Sequence, residues 1–383
     1  MKKKKLNIAY LNINRFNPVL CDGVSVSSLE LLEFLATQGH ETVILTYSTN
    51  EPFKQNIFYQ AVRQHAPELQ GKKLQSFSYM MGHIAVHAEL LPFDQTELFA
   101  NHGYILKLMN QKIAEKKINY LLTVDDDFLS MLPGLTLGLP GAHFFHSPAY
   151  LSPYQQVPFL IKSLKKRKLF AVSGFMQAKI KKELGLDADP WYPLFDLEKY
   201  RLKQSGRQND PVGYYSAGRH KGDDIFNRLV VDLPDRDFIV IGQYYTHGFA
   251  RIPGNLHVWG DNRDSKRFYD SIGLLLAPSL IEEGFPRVIL EAAANGIPTV
   301  ANSLGGIPEA LADSGIRVEV DAAELAAAGI GKLASIYRQD IEHIGTDESF
   351  YRELQQKALK RAQVYMDQQA ALSMKNLAKM LGA

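Results

Sequence analysis

Between Ile272 and Gly296 the chain spells out a strand, a turn and a helix in immediate succession. Ile272 to Ala277 is a strand-like apolar run, and it feeds a turn rich in acid and glycine, Pro278-Ser279-Leu280-Ile281-Glu282-Glu283-Gly284-Phe285. Pro286 falls in the first turn of the helix, where a missing N–H costs nothing, and Gly296 stands at its far end as a C-cap. Such a helix start presents backbone N–H groups and a partial positive charge, which suits a phosphate. Glu283, just before the helix, and Glu291, within it, bracket that anion site. At 1.5 Å per residue an i,i+8 spacing sets them about 12 Å apart. The span fits an elongated polyhydroxylated ligand with an anionic middle, and a nucleotide sugar answers that description.

Strand and helix patterns alternate through both halves, which argues for α/β architecture with parallel sheets covered by helices on both faces. In the first half strands are expected near Asn7–Ile13, Thr42–Leu45, Tyr120–Val124, His143–Phe145 and Leu169–Val172, with helices at Ser27–Gln38, Gln95–Glu115 and Phe175–Leu184. The second half repeats the scheme with strands near Val212–Tyr215, Phe238–Ile241, Leu256–Trp259, Gly273–Leu276, Thr299–Ala301 and Ile316–Val318. Asp196 to Pro211 is polar and reads as a linker, so a first domain over 1–196 and a second over 212–364 are expected. Neither half opens with G-x-G-x-x-G, and a P-loop is absent, which disfavours a dinucleotide dehydrogenase and a P-loop enzyme.

A chain of 383 residues is a comfortable size for two domains. Its net charge of +2 makes no case for nucleic acid as a partner. A single cysteine, Cys21, excludes an internal disulfide and agrees with a reducing, cytoplasmic setting. The basic start, Met1 to Lys5, leads into an asparagine-interrupted strand pattern rather than a signal-peptide core, and no apolar run approaches a membrane span.

Downstream of the E-x7-E segment the chain reads Gly296-Ile297-Pro298-Thr299-Val300-Ala301-Asn302-Ser303-Leu304-Gly305-Gly306-Ile307-Pro308-Glu309. Together the two stretches resemble the retaining, family-four glycosyltransferases of GT-B fold. The resemblance implies two Rossmann-like, doubly wound parallel-sheet domains facing a cleft, with a last helix, about 365–383, crossing back to the first domain. An ordinary βαβ unit with solvated glutamates would explain the helix and strand but not the doublet Gly305-Gly306.

By the same resemblance, Glu291 contacts the ribose hydroxyls and Glu283 the donor sugar, a role carboxylates suit because they accept from adjacent hydroxyls. Gly218-Arg219-His220-Lys221-Gly222 corresponds to a loop whose Arg and Lys grip the diphosphate. Only His220 separates the two cations here, so Lys221 keeps the clearer match, and Arg287 or His220 could stand in for Arg219. Pro286 occupies a position where relatives often carry glycine, leaving the backbone of Gly284, Phe285, Arg287 and Val288 to meet phosphate. In the first half, Asp22-Gly23 replaces a glycine pair in the loop after the first strand, and His146 stands where the family places a histidine against the donor sugar. His40, after Gly39, reads as turn chemistry.

The acids Asp125-Asp126-Asp127 resemble the metal site of the other large glycosyltransferase fold, but helix N-capping explains them more simply. No metal and no cofactor are expected. The basic stretch Lys162, Lys165, Lys166, Arg167, Lys168 is a solvated face that, beside Phe159, could also touch an anionic membrane. The expectation is therefore transfer of a hexose-type sugar from a nucleotide-diphosphate donor to an acceptor hydroxyl, on a glycan, polysaccharide or glycolipid. A nucleotide-sugar epimerase and a non-catalytic nucleotide-sugar-binding protein are the alternatives. Base and sugar would be read around Gly242–Gly248 and Trp259–Arg263.

Overall fold

The computed structural model describes residues 5–13, 23–124, 128–195, 197–202, 207–216, 218–242, 249, 251–260, 265–320 and 322–381. Two compact units divide the chain. The first comprises Met1–Val172, Gln177–Leu194 and Ser373–Ala383; the second comprises Ser173–Met176 and Phe195–Leu372.

Among the described residues the first unit holds a sheet of eight strands: β1 (Asn7–Ile13), β2 (Glu41–Ser48), β3 (Ser76–Met81), β4 (Ile84–Leu90), β5 (Tyr120–Val124), β6 (Gly141–Phe145), β7 (Lys168–Ala171) and β8 (Asp189–Pro190). Their spatial order is β3-β4-β2-β1-β5-β6-β7-β8, and all neighbours run parallel except β3 and β4. Strands covered on both faces read as nearly continuous apolar runs, and β5 and β6 are buried along their whole length.

The antiparallel β3–β4 hairpin is absent from the expected elements. It turns through Gly82 at φ +58°, and Ser78 and Met80 alternate outward while Phe77 and Tyr79 point inward. That period of two marks an edge strand with one wet face, a weaker signal than the long apolar runs. A second difference lies at Gln95–Glu115, expected as one helix. Asp94 instead caps a short 3-10 turn, Gln95–Glu97, through the Thr96 N–H at 2.9 Å, and the α-helix begins afresh at His102. The helix Pro52–His65 was also not expected; it buries Ile57, Phe58, Ala61 and Val62 on one face.

Among the described residues the second unit holds six parallel strands, β9 (Val212–Ser216), β10 (Phe238–Gly242), β11 (Leu256–Val258), β12 (Leu274–Ala277), β13 (Thr299–Asn302) and β14 (Gly315–Val318). Their order, β11-β10-β9-β12-β13-β14, is that of a Rossmann sheet, counted 3-2-1-4-5-6 within the unit. Strand order reverses between β9 and β12, so the crevice outside their carboxyl ends is where such a sheet takes a ligand. Both loops that the sequence singles out, Gly218–Gly222 and Pro278–Pro286, leave the sheet there.

The stretch from Asp196 to Pro211, expected as a linker, is in good part built into the second unit. Asn295 ties it down, its side-chain oxygen accepting from Leu202 N–H at 2.8 Å and its amide donating to the Tyr200 carbonyl at 3.0 Å. Tyr200 is buried and stacks on Phe195 at 4.7 Å. Polar composition suggested a tether; the hydrogen bonds between its backbone and Asn295 hold it in place.

Of two basic residues singled out earlier, one differs from expectation. Arg167 is buried rather than solvated, donates to the Met131 carbonyl at 3.4 Å, and fills space that a side chain on Gly134 or Gly141 would need. His40 is buried as well and accepts the Leu6 N–H at 3.2 Å, fastening the start of β1.

Inside the first unit, His143 on β6 is fully buried between the hydroxyls of Thr123, 2.9 Å away, and Tyr154, 3.0 Å away. Burial, aided by Arg167 and His146, holds its pKa well below that of a free imidazole. The folded state therefore favours the neutral ring, and the unfolded chain takes up the proton first. This contribution is complete above about pH 6.5 and is lost progressively as the pH falls below that value. Denaturant unfolding of the wild type should show decreasing stability from pH 7 to 5, and His143→Gln should flatten that slope; an equal slope in the variant would place the acid sensitivity elsewhere.

Candidate functional site

The cationic loop is shaped by its glycines. After β9 the chain turns through Gly218 at φ +109° into one 3-10 turn, Arg219–Lys221, and leaves through Gly222 at φ +100°. Those values lie in the left-handed region that only glycine enters without strain. A Cβ on Gly222 would collide with the Pro278 carbonyl, and the Leu280 N–H donates to the His220 carbonyl at 2.9 Å. The loop after β9 is thus laid directly on the segment that follows β12.

That second segment is clamped from its other side by the glycine doublet. Glu283 and Gly305 form a parallel bridge, and the Gly306 N–H donates to the Glu283 carbonyl at 2.7 Å. Any Cβ on Gly306 would fall on the Gly284 carbonyl, and one on Gly305 would press on the Glu283 backbone. Close backbone approach explains the doublet without a ligand. Ser173 donates to the Gly284 carbonyl at 2.7 Å, and Asn302 to the Ser279 carbonyl at 2.9 Å. Glu309, the last residue of the signature, accepts the Gly174 N–H at 2.9 Å.

Held this way, Lys221 Nζ and Glu283 Oε1 meet as an ion pair. Their side chains keep 27% and 17% exposure, so both remain within reach of a ligand. The structure thus joins two residues that lie far apart in sequence and that the sequence reading assigned to one donor.

The helix itself is shorter than expected. Pro286 occupies the N-cap in an extended conformation, and the helix runs Arg287–Ala293 with no side-chain cap. At its end the Ile297 and Gly296 N–H groups bond to the Ala292 and Ala293 carbonyls, both at 3.0 Å, with Gly296 at φ +63°. This is the Schellman arrangement that the glycine suggested. Glu291 Oε2 accepts the Tyr269 hydroxyl at 2.9 Å, and its Oε1 lies 3.6 Å from Arg287 Nε. Burial and the Glu291 charge push the Tyr269 phenol well above its ordinary pKa, so it stays a donor.

Arg287, considered as a substitute for Arg219, turns elsewhere. It is 6% exposed, bonds the Tyr200 hydroxyl at 3.1 Å and lies over the Phe195 ring. An arginine between a carboxylate and two aromatic rings serves packing and the orientation of Glu291. Phe285 stacks on Tyr365 at 5.7 Å, and the Val288 carbonyl lies 3.5 Å from the Tyr269 hydroxyl. Arg219 is largely exposed, 3.7 Å from Asp224.

In the first unit His146 is buried and meets the Trp191 ring edge-on at 5.5 Å. Gly23, expected in a loop, is the first residue of the helix Gly23–Thr37, where its carbonyl accepts the Ser27 hydroxyl at 2.7 Å. Cys21, Asp22, the acids Asp125, Asp126 and Asp127, and residues 243–248 and 261–263 lie outside the described residues. Among the described residues no helix is long and apolar enough to cross a membrane.

The residues that order the site were not singled out in the sequence reading. Tyr269 and Asn302 are ordinary members of a helix and a strand end, and only the fold brings them under the loops.

Residues 214–335, which include both loops, match the family model described as glycosyl transferases group 1. Over 320 residues the chain is 24% identical to an uncharacterised glycosyltransferase of Methanocaldococcus jannaschii, covering 77% of this chain and 80% of that protein. Sucrose-phosphate synthase from Thermosynechococcus elongatus superposes with a TM-score of 0.70 at 16% identity, over 98% of this chain and 99% of that one. Anabaena HepE in complex with UDP-glucose superposes with a TM-score of 0.62 at 15% identity, over 97% and 100% of the two chains. The fold is therefore that of the GT-B glycosyltransferases, and the family match and fold together support glycosyl transfer.

The glycine clamp makes a stability prediction. Gly306→Ala should cost about 1–3 kcal/mol through forced backbone movement, whereas Gly103→Ala, where a Cβ meets nothing within 4 Å, should cost nothing or stabilise. Chemical denaturation of the two variants checks this; equal midpoints would show that Gly284 and Gly306 are not in such close apposition.

Proposed function

We propose that the chain transfers a sugar, with retained anomeric configuration, from a nucleotide-diphosphate donor to an acceptor hydroxyl. The observation that carries this reading is the meeting of Lys221 and Glu283 at the switch point of a Rossmann sheet. Departure of the nucleoside diphosphate builds charge on its β-phosphate, and a preorganised cation is the group that lowers that barrier. Lys221 supplies the cation. Glu283, released from Lys221 when phosphate takes its place, accepts from hydroxyls of the transferred sugar, and Glu291, oriented by Tyr269 and Arg287, accepts from the ribose. The leaving phosphate itself receives the acceptor proton in front-face attack, so no further general base is required. HepE, crystallised with UDP-glucose, supports a nucleotide-sugar donor by likeness of fold.

With Lys221 neutralising the diphosphate, a divalent ion has no necessary part in this route. Transfer should survive excess EDTA; activity abolished by EDTA and restored by manganese would overturn the mechanism.

Lys221→Ala and Glu291→Ala should each lower kcat/KM by about tenfold or more, since a lost charge-assisted hydrogen bond is worth about 1.5–3 kcal/mol. Arg219→Ala should matter less, because its side chain is 73% exposed. Glucosyl- and other hexosyl-nucleotide donors assayed with each variant decide this. Wild-type rates in both Lys221→Ala and Glu291→Ala would end the assignment of the site, and donor binding with no transfer or hydrolysis would favour the non-catalytic alternative.

A surface feature supports an acceptor carried on an anionic membrane. The helix Pro158–Leu164 exposes Phe159 at 57% and is preceded by exposed Val157. Lys162, Lys165, Lys166 and Lys168 are exposed beside it. An apolar tip flanked by lysines suits an interface where each near-surface cation contributes about 1 kcal/mol. In flotation assays the protein should rise with vesicles containing phosphatidylserine and stay behind with neutral ones, and Phe159→Asp should abolish flotation; no vesicle binding would remove this part of the reading.

A further inference from the structure

Beneath the cationic loop lies a carboxylate with no part in the chemistry above. Asp223 is the first residue of the helix Asp223–Asp232, directly after Gly222, and is only 5% exposed. Removing a carboxylate from water is unfavourable unless hydrogen bonds replace the lost hydration. Here one oxygen, Oδ1, accepts both the Tyr214 hydroxyl at 2.7 Å and the Ser216 hydroxyl at 2.8 Å. The positive end of its own ten-residue helix adds to that stabilisation.

Both hydroxyls come from β9, so the carboxylate joins the end of the strand to the start of the helix across the loop that carries Lys221. A further contact extends the connection: the Gly218 N–H points at Ser216 Oγ, 3.5 Å away. Tyr214 is in turn fixed by stacking on Phe226 of the same helix at 4.6 Å. Each end of the Gly218–Gly222 loop is thus referred to one buried charge, while the loop's middle rests on Leu280.

We propose that Asp223 is the positioning residue of the donor-phosphate loop: it sets the height and direction of Lys221 without touching the donor. This deepens the donor reading given above and rests on it. A purely stabilising carboxylate would, when removed, affect all ligands alike or only the melting temperature. A positioning carboxylate affects the phosphate part of the donor selectively, because Lys221 is the group displaced.

The test measures dissociation constants for uridine, adenosine and guanosine diphosphates and for the corresponding nucleosides, using the full chain. Asp223→Ala should weaken the preferred nucleoside diphosphate by about tenfold and leave the matching nucleoside unchanged. Asp223→Asn should recover part of the loss, since its amide oxygen still accepts a hydroxyl. If Asp223→Ala does not fold, Ser216→Ala and Tyr214→Phe, each removing one hydroxyl, should show the same selective loss to a smaller degree. Diphosphate affinities within about twofold of wild type, or equal losses for diphosphate and nucleoside, would overturn the positioning role. A wild type that binds none of the diphosphates would overturn the donor reading itself, and this proposal with it.

Discussion

The site depends on how closely three backbones approach one another at the switch point of the second sheet. Gly222 passes over the Pro278 carbonyl, and Gly305-Gly306 presses against Glu283-Gly284 from the other side. Each contact excludes a side chain, so glycine is required by space at all three positions, and by φ as well at Gly222 and Gly305. Without them, neither loop would stand where Lys221 and Glu283 can meet. The pair is a consequence of the clamp rather than its cause: partly exposed ion pairs contribute little stability, about 0–1 kcal/mol at most surface sites.

That weakness suits the proposed activity. A strongly buried pair would resist separation, because breaking it leaves an uncompensated charge. Lys221 and Glu283 retain solvent access, so an incoming diphosphate can replace the carboxylate as partner of the lysine. Glu291 is different. It is held by Tyr269 and neighbours a buried arginine, an arrangement that fixes its direction before any ligand arrives. One carboxylate is thus exchangeable and the other preorganised, as expected where one partner must change during binding and the other must not.

Much of this architecture was legible in the sequence. β1 and β5 coincide with the expected runs, and the other expected strands differ only at their ends, because doubly covered parallel strands leave long apolar signals. The β3–β4 hairpin was not legible, since Ser76 and Ser78 interrupt the apolar run of β3. Lys221 and Glu283 could be named from the family resemblance, but their contact could not, being a product of sheet order. Arg167 looks like a solvated cation in sequence and Arg287 like a stand-in for Arg219 at phosphate; only the glycines and aromatic rings around them reveal that they are buried. Gly305-Gly306 invited a ligand-binding explanation, and backbone packing supplies a simpler one.

The central claim, that a donor diphosphate takes Lys221 from Glu283, is tested most directly by a crystal structure of the protein with a bound nucleoside diphosphate. The account predicts a β-phosphate oxygen within hydrogen-bonding distance, about 2.7–3.2 Å, of Lys221 Nζ, with the Lys221–Glu283 pair opened. A diphosphate bound away from the carboxyl ends of β9 and β12, with that pair intact, would contradict it.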